Sequence, residues 1–297
     1  MKTPTLAITI GDPAGIGPEI VRKALLSKDV PCDFNYIIFG DRSGVRLGRP
    51  SRASAQKGLD ALQQATEFCL EGKCQGIVTA PVCKETLSNI GFKFPGQTEF
   101  LADACGLHQE AVTMAMVGPT LRVFLLTTHV SLREAIDLID ETRLKRTILH
   151  ARACLKKLGI RNPRIAVAGL NPHAGENGVI GTEEKKLIAP LIKKITSTIA
   201  GKPVCPILSA DTLFYFAQQG RYDGVICLYH DQGLIPFKLV SFETGVNCTL
   251  GLPFPRTSPD HGTAFDIAGK DVASERSMVE AIRLALLLVK NGKKSAC

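Results

Sequence analysis

The sequence predicts an α/β fold built on a mainly parallel sheet. Short apolar runs recur along the chain and alternate with segments of helical spacing, the pattern of parallel strands joined by helices. Glycine- and proline-rich turns follow several of these runs. At 297 residues the chain is long enough to bury the cores of two medium-sized domains.

Apolar periodicity predicts the elements in order. Strands are expected at residues 6–10, 36–39, 76–79, 111–117, 121–127, 164–168, 224–229 and 246–250. Helices are expected at residues 18–26, 59–70, 142–158, 182–195 and 277–289. Residues 51–57 are small and polar, which predicts an exposed loop. Gly118 and Pro119 predict a turn between two adjacent strands.

Composition argues against several functional classes. The net charge is +8, but lysines and arginines are dispersed and no tryptophan is present, so nucleic-acid binding is not expected. A modest positive field favours small anionic substrates instead. No apolar run approaches the ~20 residues that span a bilayer, and the N-terminus lacks a signal-peptide pattern. The ten scattered cysteines are expected to be reduced thiols in a cytoplasmic protein.

The first strand is followed by a glycine-rich turn. Gly11, Gly15 and Gly17 precede the first helix, and Pro18 and Glu19 suit its first turn. The spacing is neither that of a dinucleotide fingerprint nor that of a phosphate loop. Two interpretations remain open: backbone N–H groups that face a ligand, or a tight connection without one.

Three histidines follow predicted strands. His129, His173 and His230 each lie just beyond a strand, among small and turn-forming residues. Open α/β sheets bind ligands at the carboxyl ends of their strands. Three neutral imidazoles that met there would form an open site for a divalent metal ion. Each could instead be a structural, hydrogen-bonded residue.

Several polar residues could bind an anion near the same edge. Lys238, Asn247 and Arg256 could together grip a phosphate or carboxylate, although each could equally be a solvated surface residue. Asp211 is either a helix N-cap or a catalytic group. His261 lies in a loop of small residues that could let a flat ring lie against the backbone.

Read together, these segments resemble the 4-hydroxythreonine-4-phosphate dehydrogenase family. They occur in that family's order, from Gly11 to the final helix. The segments are Thr-Thr-His129, Asn-Pro-His173-Ala-Gly-Glu, Ala-Asp211-Thr-Leu-Phe, Tyr-His230-Asp-Gln-Gly, Gly-Val-Asn247, Thr-Leu-Gly-Leu-Pro-Phe, Arg256-Thr and Asp-His261-Gly-Thr-Ala.

The resemblance implies an activity and a set of site residues. The reaction would be the NAD- or NADP-linked oxidation and decarboxylation of 4-phosphooxy-L-threonine to 3-amino-2-oxopropyl phosphate, in pyridoxal 5′-phosphate synthesis. A homodimer with shared active sites is also implied. One divalent ion (zinc, magnesium or cobalt) would be bound by His129, His173 and His230. The substrate would be bound by Gln97, Thr98, Lys238, Asn247 and Arg256. The catalytic residues would be Asp211, Asp231 and Lys238.

A more distant likeness extends to the isopropylmalate and isocitrate dehydrogenases. It implies two α/β/α domains with a cleft between them. The first would comprise residues 1–96 and 246–297 with the cofactor loop, and the second residues 97–245 with the metal ligands and dimer contacts. The segment from His261 to Lys270 would hold the adenosine half of the cofactor. The implied cofactor contacts are Gly11, Asp12, Gly15, His261, Gly262, Thr263 and Asp266.

Three departures from the family pattern keep alternatives open. Gln97 stands where the family usually has histidine, and Cys83 where it more often has a polar residue. Gln97 can hydrogen-bond but cannot carry a proton at neutral pH. Residues 41–57 also form a shorter segment than in better-known members. The alternatives are a dehydrogenase for threonate or erythronate phosphate, and a metal-free ligand-binding protein without activity. An isopropylmalate-type enzyme is disfavoured, because the chain has no arginine-rich malate-binding helix.

Overall fold

The computed structural model describes residues 3–201 and 205–292. Within them the chain divides into two compact units, one formed by the residues up to Val112 and from Val246, the other by Thr113–Gly245. The break between the two units falls after Gly245. Residues 97–112, however, belong to the first unit and not to the second. The reason is packing, because Phe100 and Leu101 are buried in the first unit's apolar core.

Strands and helices alternate along the chain. The strands are β1 (Thr5–Thr9), β2 (Asn35–Phe39), β3 (Gly76–Thr79), β4 (Thr113–Val117), β5 (Arg122–Leu125), β6 (Ile165–Ala168), β7 (Ile207–Leu208), β8 (Gly224–Cys227), β9 (Val246–Leu250) and β10 (Arg256–Pro259). The α-helices are α1 (Gly17–Leu26), α2 (Arg52–Leu70), α3 (Lys84–Ser88), α4 (Gln97–Ala104), α5 (Leu132–Asp137), α6 (Glu141–Lys157), α7 (Ala189–Thr198), α8 (Ala210–Gln218), α9 (His230–Ser241) and α10 (Arg276–Gly292).

The first unit is built on strands in the order β2-β1-β3-β10-β9. All neighbouring pairs are parallel except β9 and β10, which pair antiparallel. Helix α2 packs on this sheet through Ala61, Leu62 and Ala65, all nearly inaccessible to solvent. Strands buried on both faces by helices explain the continuous apolar runs in the sequence.

The second unit is built on strands in the order β4-β5-β8-β6-β7. Strands β4 and β5 form the expected antiparallel pair around Gly118, and the pairs β5–β8, β8–β6 and β6–β7 are parallel. Its core includes Val123, Val225 and Phe237. The carboxyl ends of β5, β8 and β6 therefore lie side by side at one edge of the sheet.

The predicted α/β class is confirmed, but one loop prediction is wrong. Residues 51–57 belong to helix α2, where Ser51 is the N-cap and exchanges hydrogen bonds with Ser54 as a capping box. None of the helices in the described residues combines the length and the apolar character needed to cross a bilayer. All nine cysteines in the described ranges carry free thiols, and most are buried.

Candidate active site

Three histidines follow three neighbouring parallel strands of the second unit. His129 comes after β5, His230 after β8 and His173 after β6. Because β5, β8 and β6 are consecutive in the sheet and run in the same direction, their carboxyl ends share one edge. The sequence predicted this edge from strand order alone.

His129 and His230 lie close together. Their ring centroids are 5.6 Å apart, and the ring planes meet at 42°. His230 is the first residue of α9, and its Nδ1 lies 2.7 Å from Oδ1 of Asp231. A carboxylate on Nδ1 fixes the orientation of the ring and leaves Nε2 as the nitrogen that can bind a metal ion.

His173 lies in an unusual stretch of backbone. Five consecutive residues from His173 to Asn177 have positive φ, between 43° and 78°. The left-handed region costs most residues about 1–2 kcal/mol each, so surrounding contacts must hold this turn. Asn171 supplies them, because its backbone N–H and side-chain amide both donate to the carboxylate of Glu184, which is buried.

Asp211 faces His173 from the start of α8. Its Oδ2 lies 3.8 Å from His173 Nδ1, and Ser209 Oγ donates to its other oxygen at 2.6 Å. The hydrogen bond from Ser209 lowers the pKa of Asp211, and the proximity of His173 lowers it further. No side-chain N-cap bond from this residue is present, since the helix begins at Ala210 with Ser209 before it.

The donor chemistry at this edge fits a divalent metal ion, but the geometry is incomplete. Two imidazoles have a carboxylate near Nδ1, the arrangement that orients metal-binding histidines in proteins. Across residues 3–201 and 205–292, however, no three His, Cys, Asp or Glu side chains gather around one point that could hold an ion. The three-histidine metal site therefore stays a prediction.

The sequence analysis did not single out Gln232, which links two of these strand ends. Its amide Nε2 donates to Gly169 O just after β6, and its Oε1 accepts from Leu228 N just after β8, both at 2.7 Å. The side chain is buried. Gln232 thus fixes the segments that carry His173 and His230 relative to each other. The sequence signal that could have identified Gln232 is its position two residues after His230.

A buried arginine in the first unit forms a second cluster. Arg256 donates through Nε and Nη2 to Thr79 Oγ1, and through Nη1 to Thr249 Oγ1 at 3.1 Å. Thr98 Oγ1 lies 3.4 Å from that of Thr249. We call Thr79, Thr98, Thr249 and Arg256 the arginine–threonine cluster. The sequence analysis missed Thr79 and Thr249, since threonines on buried strands carry no distinctive signal.

The charge of Arg256 is not balanced by a carboxylate contact. The residue is 3% exposed, and no described residue forms an ion pair with it. Burial lowers the pKa of its guanidinium to about 10, so it is still charged at neutral pH. A buried cation without a counter-ion is costly, and an anionic ligand would relieve that cost.

Two amide groups expected to bind substrate each contain a buried oxygen without a partner. Gln97 is the first residue of α4 and donates from Nε2 to Ala80 O at 3.2 Å. Its Oε1, like Asn247 Oδ1, is buried without a hydrogen bond. Buried acceptors of this kind favour a ligand that brings N–H or O–H donors. Lys238, in the second unit, is partly buried in the last turn of α9.

The glycine-rich turn is filled by protein backbone. A Cβ on Gly11 would lie 2.2 Å from Pro81 O, one on Gly15 2.7 Å from Thr263 O, and one on Gly17 2.0 Å from Ile10 O. Gly11, Asp12 and Gly15 are all buried. Packing alone accounts for these glycines, so the interpretation as a tight connection explains them. Direct cofactor contact by Gly11, Asp12 and Gly15 stays a prediction.

The segment 261–270, which we call the cofactor segment, lies against this turn. Ile16 N donates to Thr263 O at 2.9 Å. His261 and Thr263 are partly buried, whereas Gly262 and Asp266 are exposed. His261 Nε2 is a buried atom without a partner, and so is Asp12 Oδ2. A half-open segment with an unsatisfied imidazole nitrogen fits a bound nucleotide, which offers donors and acceptors.

These features define a class of protein: a two-unit α/β chain with an imidazole-rich strand edge and a buried arginine–threonine cluster, as expected of an enzyme for small anionic substrates. The family is shown by direct comparison. A model of the pyridoxal phosphate biosynthetic protein PdxA matches residues 20–285. The chain belongs to this family.

Individual relatives match along nearly the whole chain. A 4-hydroxythreonine-4-phosphate dehydrogenase of Geobacter metallireducens is 40% identical over 324 residues, covering 95% of this chain and 94% of the relative. A putative D-threonate 4-phosphate dehydrogenase of Oceanobacillus iheyensis is 39% identical, covering 97% and 98%.

Solved structures agree with the fold. The crystal structure of 4-hydroxythreonine-4-phosphate dehydrogenase from Klebsiella pneumoniae aligns with a TM-score of 0.80 and 36% identity, covering 97% of this chain and all of the other. A β-decarboxylating dehydrogenase from Thermococcus kodakarensis aligns over 98% of this chain and 84% of its own, with a TM-score of 0.55 at 15% identity, a likeness in fold alone.

Proposed function

We propose that this chain oxidises and decarboxylates 4-phosphooxy-L-threonine in pyridoxal phosphate synthesis, with a nicotinamide cofactor and one divalent metal ion. The observation that carries the proposal is Arg256, a buried guanidinium without an ion pair to any described residue, in a unit where Gln97 Oε1 and Asn247 Oδ1 are buried acceptors that lack donors. A small molecule with a phosphate and neighbouring hydroxyl or amino groups supplies both requirements. Family membership supports the same reaction.

The substrate phosphate is assigned to Arg256 and Thr98 of the first unit, and the substrate contact expected of Lys238 is kept as a separate prediction. Arg256 is held from one side by two threonine hydroxyls, so its orientation is set before the ligand arrives. Gln97 Oε1 and Asn247 Oδ1 accept from the hydroxyl or ammonium group of the substrate. This arrangement orients the carbon chain, and correct alignment alone can contribute several kcal/mol to catalysis.

The second-unit residues are assigned to the reacting alcohol. A divalent cation held by His129, His173 and His230 would polarise the hydroxyl and stabilise the charge left by departing carbon dioxide, and the cofactor would take up the hydride. Asp231 orients His230 through its Nδ1 atom at 2.7 Å, whereas Asp211 lies 3.8 Å from Nδ1 of His173. Lys238, Asp231 and Asp211 are the candidates for moving the hydroxyl proton.

The cofactor is assigned to the cofactor segment, with His261, Gly262, Thr263 and Asp266 as its contacts. Gly15 lies directly against that segment, since it leaves room only for the Thr263 carbonyl, and Gly11 and Asp12 are retained as further predicted contacts. A cytoplasmic location is consistent with the free thiols. A homodimer is proposed from the exposed apolar face of α9.

The test is formation of NADH from 4-phosphooxy-L-threonine by the purified protein, with and without a chelator. We expect activity to be lost with the chelator and restored by added divalent metal ions. His173→Ala should lower kcat/KM by more than about 100-fold, since even partners of metal ligands are worth 10–100-fold. His108→Ala, at an exposed histidine, is the matched control. Chelator-resistant turnover by His173→Ala would refute the metal assignment.

A related substrate is the second candidate. Gln97 replaces the family's usual histidine, and one relative is a putative D-threonate 4-phosphate dehydrogenase. Threonate phosphate carries a hydroxyl where 4-phosphooxy-L-threonine carries an ammonium group, and the amide oxygen of Gln97 can accept from either. Comparing kcat/KM for the two substrates decides between them, and Gln97→His tests whether this position sets the preference.

A further inference from the structure

The backbone hydrogen bonds between the strands of the second unit stop just short of the three histidines. Leu126 N donates to Cys227 O at 2.8 Å, and β8 pairs with β6 as far as Ile226. The next residue of that strand end, Leu228, is still buried. Buried backbone N–H and C=O groups require partners, so side chains must supply them here.

Two buried side chains satisfy the backbone of Leu228. Thr127 Oγ1 donates to Leu228 O at 2.8 Å. Gln232 Oε1 accepts from Leu228 N, and Gln232 Nε2 donates to Gly169 O, both at 2.7 Å. We call Thr127, Gly169, Leu228 and Gln232 the strand-end bridge. It connects the ends of β5, β8 and β6 through these hydrogen bonds.

The Gln232 amide lies between two strand ends that face each other. The register that pairs Ile165 with Gly224, extended along both strands, places Gly169 opposite Leu228. Both of these backbones bond to the amide, which therefore sets the spacing of the two strand ends. Gln232 also belongs to the first turn of α9, so the same bonds fix the direction in which that helix begins.

Every histidine of the proposed metal site lies close to the strand-end bridge along the chain. His129 comes two residues after Thr127, His230 two residues after Leu228, and His173 four residues after Gly169. A shift of the backbone at the bridge therefore displaces the imidazoles. Since a misplacement of about 1 Å can cost about 100-fold in rate, the spacing of these strand ends matters for the chemistry.

We propose that Thr127 and Gln232 are positioning residues for this reaction, because they hold the three imidazole-bearing segments in register through the backbone of Leu228. The inference rests on the proposed function, in which these imidazoles share one metal ion. Asp231 orients the ring of His230, whereas the bridge sets where the backbone of that ring lies. Loss of either side chain leaves a buried backbone group without its partner, and the strand ends must move to satisfy it.

The first measurement is the crystal structure of each variant without metal or substrate. Gln232→Met keeps the length of the side chain but removes both of its hydrogen bonds, and Thr127→Val removes only a hydroxyl group. We expect each to change the 5.6 Å separation of the His129 and His230 ring centroids by more than about 0.5 Å, the tolerance of a functional site. Thr127→Ser keeps the hydroxyl group and should keep the separation. Should Gln232→Met fail to fold, the two Thr127 variants decide alone.

The second measurement is calorimetric titration of the metal-free protein with Co²⁺ alone. We expect Kd to rise about 10- to 100-fold in Gln232→Met and Thr127→Val, the usual cost of losing a residue that orients metal ligands. Thr127→Ser should bind Co²⁺ as the unmodified protein does. Thr66→Val is the matched control, since Thr66 of the first unit is also buried and donates to a backbone carbonyl, Leu62 O, at 2.6 Å. Its Co²⁺ affinity should be unchanged.

Turnover at saturating Co²⁺ separates positioning from substrate binding. In Gln232→Met and Thr127→Val, kcat should fall by about tenfold or more while substrate KM changes little, because the phosphate contacts are assigned to the first unit. Thr127→Ser should recover kcat. A fall in kcat as large in Thr66→Val would make the effect one of general stability and would overturn the positioning role.

The outcomes separate this inference from the proposed function. An unchanged ring separation in the variants overturns the positioning role, whatever their Co²⁺ affinity. Displaced rings with unchanged Co²⁺ affinity also overturn it, because the displacement then has no effect on the site. If the unmodified protein binds no Co²⁺, the metal assignment of the proposed function fails, and the ring separations alone decide whether the bridge positions the imidazoles.

Discussion

The buried charge of Arg256 is left unbalanced by folding and would be stabilised by a bound anionic ligand. Its three hydrogen bonds to Thr79 and Thr249 satisfy donors but leave the charge unbalanced. Glu99, in the first turn of α4, acts on it only at longer range. The cluster is therefore a place where binding energy is available to an anion and absent for a neutral molecule.

Arg256→Met is expected to separate folding from binding. The unliganded variant should melt close to the unmodified protein, because removal of an uncompensated buried charge offsets the lost hydrogen bonds. Inorganic phosphate should raise the melting temperature of the unmodified protein and not that of the variant. Substrate KM should rise about 10- to 100-fold, the equivalent of ~1.5–3 kcal/mol for hydrogen bonds to a charged group. Arg161→Met, at an exposed arginine, is the control; equal phosphate shifts in both variants would count against the anion site.

His150, on α6, makes stability depend on pH. Its Nδ1 lies 2.9 Å from Thr113 Oγ1, and burial lowers the pKa of its imidazole to about 4, with Arg146 adding to the effect. The unfolded chain has a pKa of about 6.5 at this residue, so below that pH only the unfolded state takes up the proton. Stability from this group is complete above about pH 6.5 and falls progressively towards pH 4, by at most about 3 kcal/mol.

Urea unfolding at about pH 7.5 and about pH 4.5 checks this expectation. His150→Gln keeps a hydrogen-bonding group near Thr113 but cannot be protonated. The unmodified protein should lose about 2–3 kcal/mol more than the variant on acidification, since carboxylate effects are common to both and cancel. Identical losses would mean that His150 is protonated as easily in the folded protein as in the unfolded chain.

At the scale of elements, the turn between β1 and α1 determines how the cofactor segment is seated. Its glycines admit the carbonyls of Ile10, Pro81 and Thr263 at distances that no side chain would allow. Helix α1, which follows this turn, is bonded to the backbone just beyond residue 270. Lys23 and Glu19 of α1 bond to the backbone at Asp271 and Ala273.

Gly17→Ala is expected to destabilise the protein by about 1–3 kcal/mol, the usual cost of forcing extra atoms into a packed site. The added Cβ would meet Ile10 O at 2.0 Å, although the helical backbone at Gly17 suits alanine. Gly262→Ala is the matched control, because nothing lies within 4 Å of its Cβ position. Thermal unfolding of the two variants gives the comparison. Equal stability would show that the turn can relax around an extra methyl group.

Elements with regular periodicity were predictable from the sequence, and elements defined by long-range packing were not. Strands 76–79 and 246–250 are confirmed at their expected bounds, since runs rich in apolar and β-branched residues mark them. The polar Ser51 and Ser54 favour a loop in the sequence, yet they form the capping box at the start of α2. Helix α9 escaped prediction because Pro236 interrupts it. The left-handed turn at His173 depends on the distant Glu184, which no local pattern reveals.

At the scale of the whole molecule, strand order brings residues far apart in sequence to shared places. His129, His173 and His230 end neighbouring strands because β8 inserts between β5 and β6. Parallel topology made that edge predictable from sequence. The residues that hold these strand ends and their carboxylates in place, such as Gln232 and Ser209, were not predictable, because their contacts depend on side-chain packing after the strands assemble.

The second unit carries an exposed apolar helix face that points to self-association. On α9 and at its C-cap, Ile235, Leu239 and Phe242 are 67%, 84% and 72% exposed. Their spacing of four and three residues places them on one side of the helix. Contiguous exposed apolar surface of this kind marks interaction sites. Because α9 begins with His230 and also carries Lys238, a second copy seated there would lie beside the proposed active site.

Leu239→Lys is expected to convert a dimer into a monomer, because burying an unpaired ammonium group in an apolar interface is strongly unfavourable. Size-exclusion chromatography with light scattering should give twice the chain mass for the unmodified protein and the single-chain mass for the variant. Leu26→Lys is the control, since Leu26 is 74% exposed at the end of α1 in the other unit. The monomeric variant should also lose turnover while keeping its fold by circular dichroism, because each site would draw on both subunits. A single-chain mass for the unmodified protein, or a Leu239→Lys dimer as stable as the original, would remove α9 from the interface and leave its apolar face to another partner.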